Sequence, residues 1–251
     1  MSSLLPNLNK NQIIILESTS YPSTTDEVVV SKINKHFSVG KNFYVGYSPE
    51  REDPGNKKFN IRNIPKIVSG KTNNCRKLVS NFYSKICDRV ELATTMEVAE
   101  MTKLFENIFR SINISLSNET KEICKKINID FNEVIKLAST KPFGFMPFYP
   151  GPGLGGHCIP IDPHYLSWKL KTLNYRTRFI ELADEVNSGM PDQVVRLVVD
   201  ALNEDAKALR GSKVLILGVA YKPDITDCRE SPALPIFQKL ESGGSLVSYQ
   251  D

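Results

Sequence analysis

The sequence contains no long hydrophobic run and no block of like charge. No segment approaches the roughly 18 apolar residues of a membrane-spanning helix, and residues 1–10 lack the basic start and apolar run of a secretory signal. The net charge of +4 comes from 32 basic and 28 acidic side chains spread along the chain, without the basic block that follows a nucleic-acid backbone. We therefore expect a cytoplasmic protein that binds neither membranes nor nucleic acid.

Cysteine is also scarce. The cysteines are odd in number, widely separated and without a Cys-x-x-Cys pair, which argues against a disulfide framework and against a thiolate metal site. We expect free thiols at all five positions, which are Cys75, Cys87, Cys124, Cys158 and Cys228.

Short apolar runs alternate with helical spacing in the first third of the chain. The run Ile13–Leu16 is rich in β-branched residues and is typical of a strand buried on both faces of a parallel sheet. Further strands are predicted at residues 43–46, 66–69 and 90–93, and helices at residues 25–33 and 74–86. This alternation predicts an α/β fold with a partial Rossmann-like sheet over residues 1–93.

Residues 94–209 form a predicted central helical domain. Thr94 and Glu97 have capping-box spacing, and apolar residues then recur at three- and four-residue steps to Leu116, which indicates a long amphipathic helix. More helical pattern follows at residues 118–127, 131–139 and 175–208, and a loop dense in Pro, Gly and aromatics covers residues 141–163.

A second, partial Rossmann-like sheet is predicted over residues 210–251. Its strands are expected at residues 213–218 and 245–249, with a helix at residues 232–240 between them. The chain stops after only the second of these strands, so we expect this domain to be cut short.

The glycine-rich run Gly151–Gly156 matches the spelling G-x-G-x-x-G, but it follows Met146–Pro150 rather than a strand. A dinucleotide fingerprint opens a helix directly after a strand, so that interpretation fails. The glycines instead allow backbone amides to approach a phosphate or sugar, and they hold Cys158 on a fixed loop. A lone cysteine is usually a small buried hydrophobe, but here His157 could favour the thiolate, which makes Cys158 a candidate nucleophile.

The same loop offers a possible metal cluster. Its potential ligands match no usual zinc spacing, and Pro160 and Pro163 restrict how the side chains converge, so we expect no metal. These potential ligands are His157, Cys158, Asp162 and His164.

Several separated motifs together resemble the nucleotide-sugar 6-dehydrogenases, the family of UDP-glucose and UDP-N-acetylhexosamine dehydrogenases. They follow the family order along nearly the whole chain. The motifs are Glu17–Thr19, Tyr47–Arg51, Val98–Lys103 with Asn107, Gly155–Asp162, and Gly218–Asp224 with Arg229–Ser231.

The resemblance implies a four-electron oxidation in polysaccharide biosynthesis. In this family NAD oxidises a primary alcohol of a UDP-sugar twice, through a thiohemiacetal and then a thioester on the nucleophile, which would be Cys158. Lys103 and Asn107, four residues apart on the long helix, would stabilise an oxyanion. Glu50 would be the general base for thioester hydrolysis, and Asp162 would orient water or Lys103.

The resemblance also implies binding residues and a homodimer formed through the long central helix. Thr19 would line the nicotinamide side of the cofactor site and Arg229 would reach the pyrophosphate of NAD. The implied substrate-binding residues are Glu50, Arg51, Lys103, Asn107, Tyr149, Gly153, Gly156 and Lys222.

The chain departs from the family at its ends and beside the nucleophile. Family members begin with a strand, a G-x-G-x-x-G turn and a helix, and none of these precedes Gln12, so we expect a chain truncated at both ends. Glucose-type enzymes carry Lys three residues after the nucleophile, where this chain has Ile161. Together with Ser48–Gly55 and Tyr149–Gly153, this favours the UDP-N-acetylglucosamine 6-dehydrogenase branch.

Three alternatives stay open. The first is a UDP-glucose 6-dehydrogenase, and the second is a truncated, catalytically silent subunit that dimerises or binds a partner. The third is a thiol-dependent aldehyde dehydrogenase of another lineage, which would also need Cys, Asn and Glu but explains fewer of the motifs.

Overall fold

A computed structural model of the protein describes residues 1–53 and 55–251. The chain divides into two compact units, Met1–Glu106 and Asn107–Asp251. Pro54, which is part of the motif Ser48–Gly55, lies outside the described residues. The division into three domains at residues 94 and 210 stays a prediction.

The first unit is built on a four-stranded sheet. Its strands lie in the order β1-β2-β3-β4 and have the bounds β1 Ile13–Leu16, β2 Tyr44–Tyr47, β3 Lys66–Gly70 and β4 Val90–Leu92. The neighbours β1 and β2 are parallel, β2 and β3 are antiparallel, and β3 and β4 are parallel. The predicted strand positions are therefore correct to within a residue or two, but the sheet is mixed.

The composition of β1 predicts a strand that is buried on both faces, but the structure does not show this burial. Ile13 is exposed and the other three residues are half-buried, because β1 lies at one end of the strand order and pairs only with β2 in the described part of the chain. An apolar run has the same appearance in a central strand and in an edge strand, so composition alone does not separate the two.

Helices pack closely on this sheet. A Thr25–Val30 π-helical segment continues into α1 (Ser31–Ile33), and α2 covers Asn73–Tyr83. A Cβ at Gly46 of β2 would collide with a methyl carbon of Val79 in α2 and lie 2.8 Å from the Ser69 carbonyl oxygen, so only glycine permits this approach. The core here contains Val29, Val30, Ile33, Phe43, Val45, Tyr47, Met96 and Ala99.

Helix α3 covers Met96–Lys126 as one continuous helix, where the sequence pattern suggested separate segments. The N–H of Val98 donates to the Thr95 hydroxyl at 3.3 Å, so the helix is capped by Thr95. The capping box predicted at Thr94 and Glu97 is therefore wrong by one residue.

The second unit contains four further helices and a two-stranded parallel sheet. These are α4 Phe131–Ala138, α5 Asp162–Lys171, α6 Arg178–Glu204, β5 Lys213–Leu217, α7 Ala233–Ser242 and β6 Leu246–Gln250. No helix within residues 1–53 and 55–251 is long and apolar enough to cross a membrane. No disulfide links the five cysteines, all of which lie within the described residues.

Helix α5 was missed by sequence reasoning. Its first turn contains Pro163, and the sequence analysis took this proline as the end of a loop. Proline is tolerated in the first turn of a helix, where its missing N–H has no partner to lose. Pro163 therefore marks the beginning of a helix four residues after Cys158.

A buried carboxylate holds the turn that follows β1. Glu100 of α3 accepts hydrogen bonds from the N–H of Ser23 at 2.6 Å, and from the N–H and hydroxyl of Thr25 at 2.9 and 2.7 Å. Ser23 has a φ of 81°, which is unfavourable for a residue with a side chain. Burial raises the pKa of Glu100, and the three hydrogen bonds offset part of that effect.

Replacing Glu100 by glutamine tests this anchor. The new amide nitrogen would face at least one of the three donors, so we expect Glu100→Gln to lower the free energy of unfolding by about 1–3 kcal/mol at neutral pH. Urea unfolding followed by circular dichroism measures the effect. Glu119→Gln, at an exposed position of α3, is the control and should change stability by less than about 0.5 kcal/mol. Equal effects of the two substitutions would contradict the anchor.

Candidate active site

The glycine-rich loop lies between α4 and α5, so no strand leads into it. Gly156 has a φ of +83°, and a Cβ on it would lie 2.9 Å from the Tyr221 ring. A Cβ on Gly155 would lie 2.6 Å from the Tyr221 Cβ. The sequence suggested that these glycines make room for a ligand. In the structure the room beside Gly155 and Gly156 is taken by a tyrosine side chain.

Two buried asparagines hold the start of this loop. The N–H of Gly151 donates to the Asn118 side-chain oxygen at 2.9 Å, and the Asn118 amide donates to the Asn187 side-chain oxygen at 3.0 Å. The Asn187 amide donates in turn to the Ser111 carbonyl at 3.2 Å. Since Asn118 lies on α3 and Asn187 on α6, this chain of hydrogen bonds connects the loop to both helices.

The end of the loop is fixed by a second buried contact. Asn107 of α3 and Asp162 of α5 are both buried, and the Asn107 amide donates to the Asp162 carboxylate at 2.6 Å. The N–H of Asp162 donates to the Cys158 carbonyl at 2.9 Å. The structure therefore brings three of the predicted catalytic residues together around the first turn of α5.

The Cys158 residue is exposed, as a nucleophile requires. The neighbouring His157 has its Nε2 atom 3.8 Å from the Asp227 carboxylate, which also forms a 2.8 Å ion pair with Arg229. The hydrogen bond from the Arg229 guanidinium lowers the pKa of Asp227 well below its usual range. Within the described residues, no group of three His, Cys, Asp or Glu side chains is placed to hold a metal ion.

The remaining predicted residues of the second unit lie at its surface or partly within it. Tyr149 is exposed, and Gly153 is half-buried with a φ of +139°. Lys222 is half-buried, and its ammonium group lies 5.9 Å from the centre of the Tyr221 ring. Arg229 is exposed and engaged with Asp227.

Four predicted site residues belong to the first unit. Lys103 is buried on α3, one turn before Asn107, and Thr19 is half-buried in the loop after β1. The Arg51 guanidinium pairs with Glu106 at 2.7 Å. The fourth is Glu50, which follows β2.

The Glu50 carboxylate is held on both oxygens. One oxygen accepts the N–H groups of Arg51 and Glu52, each at 2.7 Å, and the other accepts the Lys66 ammonium at 3.0 Å. Burial raises the pKa of Glu50, but the hydrogen bonds from Lys66 and the two N–H groups outweigh it, so the pKa lies below its ordinary value.

Sequence reasoning missed several residues that support the site. Lys66 falls in an apolar strand pattern, and Asn118 and Asn187 fall in helix patterns. For Asn118 no signal was available in the sequence, because it lies on the side of α3 opposite the apolar stripe. The structure buries that polar side, with Ser111, Ser115 and Asn118, and leaves Phe105, Phe109 and Leu116 of the stripe exposed.

Comparison with known families finds three matching models. The UDP-glucose/GDP-mannose dehydrogenase family, NAD binding domain, matches residues 1–87. The central domain of the same family matches residues 97–189, and its UDP binding domain matches residues 215–251. The three models follow one another along most of the chain.

Curated proteins and solved structures agree with these matches. The chain is 37% identical to a UDP-N-acetyl-D-glucosamine 6-dehydrogenase of Pseudomonas aeruginosa, over 93% of this chain and 56% of that protein. It is 32% identical to a UDP-N-acetyl-D-mannosamine dehydrogenase of Methanococcus maripaludis, over 100% of this chain and 56% of that protein. A UDP-D-ManNAc dehydrogenase structure from Pyrococcus horikoshii superposes with a TM-score of 0.91 at 30% identity, over 99% of this chain and 59% of that one. The chain thus spans little more than half the length of these relatives.

Removing the Asn118 side-chain amide tests how the glycine loop is held. Asn118→Leu leaves the Gly151 N–H and the Asn187 oxygen without this partner, so we expect a loss of about 1–3 kcal/mol in stability. We also expect faster amide hydrogen exchange in residues 151–158. Asn113→Ala, on the same helix, is the control. Unchanged exchange in the loop would show that Asn118 does not hold it.

Proposed function

The chain belongs to the UDP-glucose/GDP-mannose dehydrogenase family, and we propose that it serves in the NAD-dependent oxidation of the C6 hydroxyl of a UDP-N-acetylhexosamine, UDP-N-acetylglucosamine before others, to the acid. The observation that carries this proposal is the contact between Asn107 and Asp162 beside Cys158. It gathers a thiol, a carboxamide and a carboxylate at one end of α5.

In this proposal Cys158 makes the second oxidation possible. The first oxidation removes a hydride and a proton from the alcohol and gives an aldehyde. The Cys158 sulfur adds to the aldehyde carbon while its proton passes to the aldehyde oxygen, and the thiohemiacetal so formed can lose a second hydride and its hydroxyl proton to become a thioester. Water then cleaves the carbon–sulfur bond, which releases the acid and restores the thiol.

Asn107 and Asp162 would act on the oxygen atoms of these intermediates. A side-chain amide has two hydrogens, so the contact with Asp162 leaves one to donate to a developing oxyanion. Lys103, one turn earlier on α3, would supply positive charge to the same oxyanion. Asp162 fixes the orientation of the Asn107 amide, and Glu50 would accept the proton of the attacking water.

The position of Thr19 in the first unit fits a nicotinamide cofactor. Open α/β sheets bind ligands at the carboxyl ends of their strands, and Thr19 lies in the loop that follows the carboxyl end of β1. Thr19 and Arg229 would hold NAD, which when bound supplies the hydride acceptor for both oxidations. Substrate contacts would come from Glu50, Arg51, Lys103, Asn107, Tyr149, Gly153, Gly156 and Lys222.

The substrate choice rests on Ile161 and on the relatives. Ile161 stands where glucose-type enzymes carry lysine, and the relatives described above are named for N-acetylated sugars. An apolar side chain near the nucleophile is compatible with an N-acetylated substrate.

The homodimer proposal rests on an exposed apolar stripe of α3. Phe109, Leu116 and Ile123 are all exposed and recur every seven residues, and Ile127 follows four residues later. A repeat of seven and four residues keeps these side chains on one face of a helix. Contiguous exposed apolar surface of this kind marks an interaction site, and a second copy of the helix offers a matching stripe.

Replacing Cys158 by serine tests the reaction. We expect the protein, purified from its natural host, to form NADH from UDP-N-acetylglucosamine. Cys158→Ser should lower the rate of acid formation on the order of 10³-fold or more, because serine does not give a thioester. Cys228→Ser is the matched control and should retain activity.

Two further outcomes of this assay are informative. Faster turnover of UDP-glucose or UDP-N-acetylmannosamine would contradict the choice of substrate. If no UDP-sugar is oxidised and calorimetric titration detects no NAD binding, the chain would be a catalytically silent subunit.

Charges placed on the apolar stripe test the dimer. Leu116→Glu would bring two carboxylates into the interface, so we expect the dimer dissociation constant to rise by a factor of roughly 30 or more, which corresponds to about 2 kcal/mol. Sedimentation equilibrium measures this constant. Lys121 is exposed and lies off the stripe, so Lys121→Gln should leave the constant unchanged. A wild-type protein that sediments as a monomer would contradict the proposal.

A further inference from the structure

A lysine is buried at the beginning of β3. Lys66 is only 3% exposed, yet its ammonium group lies 3.0 Å from the Glu50 carboxylate and 3.3 Å from the Glu17 carboxylate. The ammonium also lies 5.1 Å from the centre of the Tyr83 ring, within range of a cation–π contact. An ammonium group is costly to bury unless it is paired, so this arrangement depends on both carboxylates.

The antiparallel pairing of β2 and β3 produces this contact. Tyr47 pairs with Ser69, and continuing the register by three residues on each strand places Glu50 opposite Lys66. Glu17 follows the carboxyl end of β1, and its carbonyl accepts the Glu50 N–H at 3.3 Å. In a parallel arrangement Lys66 would lie at the opposite edge of the sheet, away from both carboxylates.

Tyr83 completes the group from the end of α2. Its hydroxyl donates to the same Glu17 oxygen that Lys66 approaches, at 2.5 Å. Burial and this hydrogen bond raise the pKa of Tyr83, so the hydroxyl stays neutral and remains a donor. The Glu17 carboxylate is therefore oriented by the Tyr83 hydroxyl, and it pairs with the Lys66 ammonium group.

We propose that Lys66, supported by Glu17 and Tyr83, is a positioning residue that fixes the Glu50 carboxylate and keeps it negatively charged. The inference rests on the proposed role of Glu50 as general base. A base must be ionised and correctly directed when water attacks the thioester, and a buried ammonium group 3.0 Å away meets both requirements.

The charged groups around Glu50 set the direction of the pH dependence. Lys66 and two backbone N–H groups lower the pKa of Glu50, against the opposing effect of burial. Glu17 is the nearby negative charge, Tyr83 is neutral, and Arg51 is paired with Glu106. A lowered pKa keeps the base ionised above that value, and loss of Lys66 would shift the acid limb of its titration to higher pH.

Carbon-13 NMR titration of the Glu50 carboxyl group tests the inference without any turnover. The Glu50 signal is identified as the one that Glu50→Gln removes. We expect Lys66→Met to raise the Glu50 pKa by about one unit or more. Lys66→Arg keeps the positive charge, so in this variant the Glu50 pKa should stay close to that of the wild-type protein. Lys71→Met is the control, because Lys71 pairs with Asp26 instead.

An unchanged Glu50 pKa in a folded Lys66→Met protein would overturn the inference. If that variant does not fold, Glu17→Gln decides. Without the second carboxylate, Lys66 pairs with Glu50 alone, so the Glu50 pKa should fall, and a rise or no change would count against Lys66. Thioester hydrolysis at full rate by Glu50→Gln would instead remove the general-base role and leave the contact between Lys66 and Glu50 intact.

Discussion

The hydrogen bond between Asn118 and Asn187 is the contact on which the position of the glycine-rich loop, residues 151–156, depends. Both side chains are buried. A buried amide that has no hydrogen-bond partner destabilises the folded state, because its desolvation is not compensated. Asn118 satisfies this requirement by accepting the Gly151 N–H, so the position of the loop follows from the packing of α3 and α6. Cys158 is an exposed residue, and the beginning of the loop that leads to it is held by these buried hydrogen bonds.

The same requirement explains two features of the first unit. The buried Glu100 carboxylate is satisfied by the backbone of an unfavourable turn, and the buried Lys66 ammonium is satisfied by Glu17 and Glu50. In each case one buried charge determines where a neighbouring loop runs.

Much of the fold could be predicted from the sequence, because strands and helices are local patterns. Each of the six strands in the described part of the chain lies within a residue or two of the apolar run that predicts it. The antiparallel direction of β3 could not be predicted, since pairing is a long-range property that no local pattern records. Helix α5 was missed because a proline such as Pro163 is common both in the first turn of a helix and in loops, so the residue alone does not distinguish the two. Cys158 and Asp162 were found through motifs, whereas Lys66 and Asn187 carry no motif, and only their partners in space reveal them.

The close packing of Gly155 and Gly156 against Tyr221 has a consequence for how the sequence can diverge. A methyl group at either glycine would collide with the tyrosine, so these positions are not free to drift independently. A larger residue at either glycine requires a smaller side chain at position 221, and a change in the loop alone would strain this packing. In related sequences, the two glycines and the aromatic side chain at position 221 should therefore be retained together or replaced together.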